Sequence, residues 1–162
     1  NFDGAIPDII AFGKKTQCCG IFCGTRIDEV DENVFNISSR LNSTWGGNLA
    51  DMVRFTMYLE IIENEKLIEK AAESGTYLLK HLENLQRDYY PLVSNARGRG
   101  LFCAFDLPDV DARDTVVNNI MEEGAIILGS GVNTIRFRPH LNITTDEIDL
   151  GISMIKNSLD RC

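Results

Sequence analysis

Long hydrophobic runs, an excess of basic residues and a metal-binding histidine pattern are all missing from this sequence. No apolar run approaches the roughly 18 residues of a membrane span, so a transmembrane helix is not expected. The chain has 16 Lys and Arg against 24 Asp and Glu, a net charge of −8, which argues against nucleic acid or an anionic membrane as its main partner. Apolar residues make up 44% of the 162 residues, which is typical of a globular protein.

The cysteines and histidines match neither a metal site nor a disulfide pattern. The cysteines number five, an odd count, and the two histidines are His81 and His140. Cys18 and Cys19 are adjacent, a poor arrangement for a disulfide, and Cys19 and Cys23 lack the second pair or the histidines of a zinc site. We therefore expect no metal, and we interpret the cysteines as small buried residues of a protein in the reducing cytoplasm.

The segment around Lys14 is the most informative part of the sequence. Pro7-Asp8-Ile9-Ile10-Ala11-Phe12-Gly13-Lys14-Lys15 is an apolar, strand-like run that ends in a glycine and two lysines. A lysine amine is a good nucleophile at neutral pH only if its charged form is disfavoured, by partial burial or by a neighbouring cation. This is the setting of a lysine that forms a Schiff base with a carbonyl cofactor such as pyridoxal phosphate. On spacing alone, a solvated pair of surface lysines is the alternative.

Two further motifs have the residue types of anion sites. Ser43-Thr44-Trp45-Gly46-Gly47 places two hydroxyls and backbone amides ahead of a helix predicted to be capped by Asn48, an arrangement that binds phosphate. Its alternative is a tight turn with a helix cap. In Ile135-Arg136-Phe137-Arg138-Pro139, a strand would put Arg136 and Arg138 on one face, where an arginine fork grips a carboxylate. The alternative here is a surface pair that balances acidic charge.

The hydrophobic pattern predicts a mixed α/β chain in two parts. The first part begins with short buried strands at 8–12 and 20–23. An apolar helical stripe from Asn48 to just before Pro91, as two helices or one kinked helix, then runs across the boundary between the parts. The second part has strands at 101–105, 125–128 and 134–138, with helices at 111–123 and after a Thr144–Glu147 capping box. This order suggests a small α/β sandwich with helices on one face, and the boundary between the parts lies near residue 65. The residues predicted to face the core in the helices are Met52, Phe55, Leu59, Ile62, Leu67, Ile68, Ala71, Ala72, Leu78, Leu79, Leu82, Leu85, Val116, Val117, Ile120, Met121, Ile148, Ile152, Ile155 and Leu159.

Taken together, these motifs resemble the class III pyridoxal-phosphate aminotransferases. The segment ending at Lys14 matches their cofactor-lysine strand, Ser43-Thr44-Trp45-Gly46-Gly47-Asn48 looks like their phosphate loop, and Ile135-Arg136-Phe137-Arg138-Pro139 looks like their carboxylate-arginine strand. Arg97-Gly98-Arg99-Gly100-Leu101-Phe102 fits the opening strand of their C-terminal domain. Within the family, the segments 13–20 and 40–48 look most like L-lysine 6-aminotransferases. The 4-aminobutyrate and ornithine aminotransferases are the alternatives within the family, and a non-catalytic α/β interaction module is the alternative outside it.

The resemblance implies a fold and a set of residue roles. The fold is α/β, the type I fold of pyridoxal-phosphate enzymes, with residues 1–64 as the C-terminal portion of the cofactor-binding large domain and residues 65–162 as the small domain. Lys14 would hold the cofactor and move the proton. Ser43 and Thr44 would contact the phosphate, Thr44 from the neighbouring subunit of a homodimer with a shared active site. Asn42 would lie near the substrate, and Arg136 would hold a carboxylate of 2-oxoglutarate or glutamate.

The implied reaction converts L-lysine and 2-oxoglutarate into 2-aminoadipate 6-semialdehyde and glutamate, and Lys15 has no assigned step in it. The family's aspartate that pairs with the pyridine nitrogen, its ring-stacking aromatic and its other phosphate loop all precede the lysine and are not in this sequence. We therefore expect the chain to be the C-terminal part of a longer protein, unable to support normal transamination alone.

Overall fold

The chain forms two compact units in the computed structural model, Asn1–Asn64 and Glu65–Cys162. The structure describes Gly4 and residues 6–162. Among these residues, no helix is both long enough and apolar enough to cross a bilayer. They are called unit 1 and unit 2.

Unit 1 is built from a two-stranded hairpin and a helix. Strands β1 (Ile9–Phe12) and β2 (Gly20–Cys23) pair antiparallel, with Ile9 opposite Cys23 and Phe12 opposite Gly20. A 3-10 turn at Lys14–Thr16 lies between them. Helix α1 (Leu49–Asn64) packs against the hairpin, since the Phe12 ring stacks on Phe55 with 5.6 Å between centroids.

The start of helix α1 and the irregular segment before it are held by asparagine side chains. Asn48 Oδ1 accepts a hydrogen bond from the Ala50 amide at 3.0 Å, which confirms the predicted cap. Asn33 is buried, and its amide nitrogen donates to the carbonyls of Ile27 and Val30 at 3.1 and 2.9 Å. A buried amide that bonds several backbone groups gives a chain segment without regular structure a fixed shape.

The prediction that the strands and the first helix of unit 1 are buried is wrong. Ile9 and Ile10 are 55% and 49% exposed, and helix α1 contains no buried residue. The physical reason is that two strands and one helix cannot cover both faces of a sheet and all sides of an apolar helix. The predicted core residues of α1 are therefore exposed or only half-buried, these being Met52, Phe55, Leu59 and Ile62.

Unit 2 is a four-stranded antiparallel sheet with three helices. The chain order is α2 (Leu67–Asp88), β3 (Ser94–Arg99), β4 (Phe102–Asp106), α3 (Val110–Glu122), β5 (Leu128–Ser130), β6 (Thr134–Phe137) and α4 (Thr145–Leu159). The strand order across the sheet is β3-β4-β6-β5. Helix α4 begins with the predicted Thr144–Glu147 capping box, and helix α3 stops before Gly124, whose φ is +97°.

The core of unit 2 lies between one face of the sheet and the helices. Phe105 and Ile135 lie opposite each other on β4 and β6 and are fully buried. They share this core with the apolar faces of the three helices, namely Leu78, Leu82, Leu85, Val116, Ile120, Ile148, Ile152, Ile155 and Leu159. The predicted sandwich with helices on one face is therefore observed, and within the described residues of unit 2 no helix packs on its second face.

Four details of unit 2 differ from the sequence prediction. Residues Ser94–Arg99 form a strand of their own, β3, which the hydrophobic pattern did not predict, because they pair with β4 in a hairpin. Strand β5 begins at Leu128 instead of residue 125. Strand β6 ends at Phe137, so Arg138 lies beyond it. Three apolar helical residues predicted to be inward are exposed, because each lies at the margin of its helix's apolar stripe: Ile68, Ala72 and Met121.

Candidate active site

Lys14 occupies a strained turn at the end of strand β1. Its φ is +56°, in the left-handed region that residues with a side chain rarely adopt. The Gln17 amide, also left-handed at φ +63°, donates to the Lys14 carbonyl at 3.0 Å and closes the turn. Strain of this kind costs about 1–3 kcal/mol per residue and is typical of functional sites.

The Lys14 side chain is exposed in unit 1, and so is that of Lys15. The partial burial that would favour a neutral amine is therefore not provided by the part of the chain that the structure describes. The neighbouring cation of Lys15 is present, as the sequence indicated.

The loop of Asn42, Ser43 and Thr44 lies immediately before helix α1. All three side chains are exposed. The loop turns sharply, with the Gly46 amide donating to the Ser43 carbonyl at 3.2 Å and Gly47 at φ +75°. Two hydroxyls thus lie next to the positive end of a 16-residue helix, which suits an anion such as phosphate.

The open face of the unit 2 sheet carries a cleft rich in arginine. Arg97 pairs with Ala104, and Ala104 pairs with Arg136, so both arginines project from the same face on either side of a small residue. The cleft has a volume of about 450 Å³. None of its described lining residues is acidic; they are Arg97, Gly98, Arg99, Phe102, Cys103, Ala104, Ser130, Gly131, Thr134 and Arg136. An acidic chain therefore has a locally positive cleft, which suits a carboxylate.

Arg97 and Arg136 differ in their partners. The Asp106 carboxylate accepts hydrogen bonds from Arg97 Nη1 at 3.0 Å, Thr134 Oγ1 at 2.6 Å and Asn95 Nδ2 at 2.6 Å. Burial acts to raise the pKa of Asp106, but the bonds from Thr134, Asn95 and Arg97 outweigh it and hold that pKa below its ordinary value. The charge of Arg97 is thereby balanced by Asp106.

Arg136 is the half-buried arginine of the cleft, and within the described residues its guanidinium makes no hydrogen bond or ion pair. Arg138 lies beyond the end of β6 and does not line the cleft, so the predicted fork of two arginines on one strand is wrong. A single arginine of this strand therefore faces the cleft.

The predicted site residues fall into two groups. Lys14, Asn42, Ser43 and Thr44 belong to unit 1, and Arg136 belongs to unit 2. Within the described part of unit 1, no hydrogen bond joins Lys14 to the Ser43–Thr44 loop. The two segments are connected through helix α1, which follows the loop directly and contacts the Lys14 turn with its second turn.

Two residues of these sites were not found from the sequence. Asp106 and Ala104 lie on the same face of β4, so the alternation of side chains along this strand is the signal that could have identified Asp106. That signal is useful only if β3, the strand of Arg97, is also recognised. Gln17 follows Lys14 by three residues, the spacing of a turn, and no composition rule marks a glutamine there. Both are identified by their hydrogen bonds.

The side chains of unit 1 fit a cofactor that carries an aldehyde and a phosphate. Lys14 offers an exposed primary amine, which within the described residues forms no hydrogen bond or ion pair. Ser43 and Thr44 offer exposed hydroxyls ahead of a helix start. An amine captures an aldehyde, and hydroxyl and amide donors bind phosphate, so the donor set matches this chemistry.

The cysteines are all free thiols, but only Cys103 is buried. Burial raises the pKa of the Cys103 thiol, which keeps it protonated and unreactive. Cys18 and Cys23 are half-buried, and Cys19 and Cys162 are exposed. The prediction that all five are buried is therefore wrong for these four, because unit 1 and the chain end offer little interior.

Comparison with known proteins places these features in a family. A family model described as aminotransferase class-III matches residues 1–159. The L-lysine-epsilon aminotransferase of Mycobacterium tuberculosis is 50% identical over 153 residues, covering 94% of this chain and 34% of that protein. The mitochondrial 4-aminobutyrate aminotransferase of Sus scrofa is 34% identical over 134 residues, covering 83% of this chain and 26% of that protein.

Among solved structures, lysine aminotransferase from M. tuberculosis in the internal aldimine form matches with a TM-score of 0.93 at 49% identity. The match covers 98% of this chain and 36% of that one. The chain therefore spans about a third of the length of the lysine aminotransferases that it matches.

Proposed function

Since the chain belongs to the class III aminotransferase family, we propose that the protein transfers the terminal amine of L-lysine to 2-oxoglutarate with pyridoxal phosphate as cofactor. The family and the type I fold predicted from the sequence are both confirmed by these comparisons. The products would be 2-aminoadipate 6-semialdehyde and glutamate. Residues 1–64 belong to the cofactor-binding domain in this proposal, and residues 65–162 form the small domain.

Lys14 is the proposed catalytic residue. Pyridoxal phosphate, when bound, supplies an aldehyde that captures amines and a ring that withdraws electrons from the neighbouring carbon. Lys14 Nζ would hold this aldehyde, and the same amine would carry a proton to and from the carbon next to the substrate nitrogen. Its exposed amine at the end of a strained turn supports this role.

Ser43 and Thr44 are proposed to bind the cofactor phosphate. Their hydroxyls are exposed ahead of helix α1, and the helix start adds a favourable field for a phosphate. Within unit 1 they form no hydrogen bond with Lys14 in the described residues. In this proposal Thr44 serves the site of a second subunit, so that a homodimer shares its two active sites.

Arg136 and Asn42 are proposed to bind the substrates. The Arg136 guanidinium lines the positive cleft and is available for a carboxylate, whereas Asp106 occupies Arg97. A 2-oxo acid or an amino acid presents such a carboxylate. Asn42 precedes the phosphate loop directly, and it lies near the substrate in this proposal. The five free thiols support a reducing compartment, the cytoplasm.

The observation that carries the choice of L-lysine is the difference in sequence identity. The chain is 50% identical to the L-lysine-epsilon aminotransferase and 34% identical to the 4-aminobutyrate aminotransferase. The 4-aminobutyrate and ornithine activities, and a non-catalytic interaction module, are the outcomes against which the proposal is tested.

A panel of amino donors tests the proposed reaction. The full-length protein is given L-lysine, L-ornithine or 4-aminobutyrate with 2-oxoglutarate, and the glutamate formed is measured. We expect L-lysine to react fastest. Faster turnover of another donor would reassign the substrate, and no turnover of any donor would favour the interaction module.

The neighbouring lysines provide a matched pair of variants. Lys14→Ala is expected to lower turnover by about a thousandfold or more, because the variant loses the amine that holds the cofactor and moves the proton. Lys15→Ala removes an equally exposed amine one residue away and is expected to keep activity within about threefold. Equal losses in the two variants would contradict the assignment of Lys14.

A further inference from the structure

We propose that Gln17 is a positioning residue for Lys14: it holds the Lys14 backbone in its turn and ties that turn to helix α1 through Arg54. The inference rests on the proposed function, in which Lys14 Nζ binds the cofactor. It adds a part of the site that no motif in the sequence indicates.

The turn needs contacts to keep its shape. Lys14 and Gln17 both have left-handed backbone, at φ +56° and +63°, and neither residue type favours this region. A strained conformation persists only where surrounding contacts hold it. The contacts that hold the turn therefore determine how the Lys14 amine is presented.

Gln17 supplies these contacts with three of its groups. Its backbone amide donates to the Lys14 carbonyl at 3.0 Å, and its side-chain Nε2 donates to the same carbonyl in a longer bond of 3.5 Å. Its Oε1 accepts from Arg54 Nη1 at 3.0 Å. A side-chain amide can donate on one side and accept on the other, so it bridges the turn and the helix.

Arg54 is itself fixed on helix α1. Its Nη1 also donates to Asp51 Oδ1 at 3.1 Å, one helical turn earlier. The next residue, Phe55, stacks on Phe12 at the end of β1 with 5.6 Å between ring centroids. Two consecutive residues of α1 therefore contact the chain on both sides of Lys14. The Lys14 turn is attached to the helix that begins at the Ser43–Thr44 loop.

This attachment determines which of two neighbouring amines reacts. Lys14 and Lys15 are adjacent and both are exposed, so a small rotation of the turn changes which amine is directed at the cofactor. Misplacement by about 1 Å costs about a hundredfold in rate. In this proposal Gln17 keeps Lys14, and not Lys15, as the amine that reacts.

Labelling of the two lysines tests the proposal without relying on activity. The full-length protein is loaded with pyridoxal phosphate and treated with sodium borohydride. A lysine amine and the aldehyde lose water to form a double bond, and the hydride reduces this bond to a stable secondary amine. Peptide mass spectrometry then gives the ratio of label on Lys14 to label on Lys15.

We expect the wild type to carry its label on Lys14, and Gln17→Ala to shift the ratio about tenfold toward Lys15. The kcat of this variant is expected to fall by a similar factor while the KM for L-lysine stays unchanged, because substrate binding is not involved. Gln17→Glu keeps an acceptor for Arg54 and is expected to restore most of the wild-type ratio.

Arg54→Ala removes the anchor on α1 and leaves every residue of the turn in place, so we expect it to reproduce the shift. Arg26→Ala is its matched control. Arg26 is also an exposed arginine of unit 1 with one ion pair, to Asp8 at 3.0 Å, and its removal is expected to leave the ratio unchanged.

Three results overturn the proposal. The first is a ratio and kcat in Gln17→Ala equal to those of Arg26→Ala. The second applies if Gln17→Ala does not fold: Arg54→Ala then decides, and a wild-type ratio in that variant removes the role of Gln17. The third is a wild type that carries no label on Lys14, which refutes the proposed function and the positioning role together.

Discussion

Asp106 links the positive cleft to the stability of unit 2 through a single ionisable group. Its carboxylate joins residues of β3 and β6 to its own strand, through Arg97 and Thr134. The side chain is 17% exposed, so solvent screens these bonds only weakly. If Asp106 loses its charge, the Thr134 hydroxyl and the Asn95 amide have a weaker hydrogen-bond acceptor. Arg97 then lies near Arg136 without a counter-charge.

Asp106→Asn is expected to destabilise the protein by about 2 kcal/mol at neutral pH, because hydrogen bonds to a charged group are lost. The folded pKa of Asp106 lies below its ordinary value of 3.8. The stability due to this depressed pKa is therefore fully present above 3.8 and is lost as the pH falls through the folded pKa. Urea unfolding at a series of pH values measures the difference between wild type and variant, which we expect to shrink in acid.

Glu83→Gln is the control for this titration. Glu83 is an exposed acid of α2, and within the described residues it forms no ion pair. Its replacement is expected to change the free energy of unfolding by less than about 0.5 kcal/mol. A difference between wild type and Asp106→Asn that stays constant with pH would show that packing, and not charge, makes Asp106 important.

The contact of helix α2 with the β3–β4 turn depends on two glycines. A Cβ atom at Gly75 would overlap the backbone of Gly100. Helix α2 therefore contacts the turn backbone to backbone, at a distance that leaves no room for a side chain. Gly100 itself has a φ of +53°. The pair sets the distance between α2 and the sheet and therefore the fit of the core beneath it.

Gly75→Ala is expected to cost about 3 kcal/mol, since the obstacle is backbone and not a flexible side chain. Gly151→Ala provides the opposite case on helix α4, where a new Cβ meets nothing within 4 Å. There, the lower entropy of the unfolded chain is expected to stabilise the protein by about 0.5–1 kcal/mol. Urea unfolding of both variants measures the two effects, and a Gly75→Ala protein as stable as wild type would refute the close contact.

The elements of the chain were predictable where local chemistry decides them. The capping box at Thr144 and the stripe of Ile148, Ile152, Ile155 and Leu159 mark helix α4, and all four stripe residues are buried as predicted. Strand β3 was missed because Ser94–Arg99 has the composition of a turn, and only pairing with β4 makes it a strand. Partners that are distant in sequence decide such segments.

The candidate site shows the same division. Lys14, Ser43, Thr44 and Arg136 are proposed from motifs, whereas Asp106 and Gln17 are proposed only from their contacts. The finding that Arg136 faces the cleft without Arg138 also required the structure, because it depends on where strand β6 ends. Motifs indicate which residues carry the chemistry, and the fold decides which residues support them.

The two units differ in how many hydrophobic residues they bury. Every buried hydrophobic residue of the described chain lies between Leu67 and Leu159, in unit 2. In the described part of unit 1 the buried residue is Asn33, and its apolar helix and strands are exposed or half-buried. Hydrophobic burial is the main favourable term in folding, so the stability of the chain comes from unit 2.

A shortened chain of residues 65–162 is therefore expected to unfold cooperatively in urea with nearly the midpoint of the 162-residue chain. Far-ultraviolet circular dichroism measures both. Trp45 in unit 1 is 77% exposed, so its fluorescence in the longer chain is expected to change little across the transition. Loss of cooperative unfolding in the shortened chain would show that unit 1 contributes stability that its exposed surface does not suggest.

The hairpin of unit 1 also has a consequence for how the chain behaves in crowded solution. In unit 2 the edge strand β5 has three residues, and the register of the other edge strand, β3, shifts between Ser94 and Arg97; short and irregular edges resist pairing with other molecules. In unit 1 the strands of the hairpin leave Ile9 and Phe22 more than half exposed, at 55% and 57%. Aggregation of this chain is therefore expected to begin at the hairpin that carries Lys14, the residue proposed to hold the cofactor.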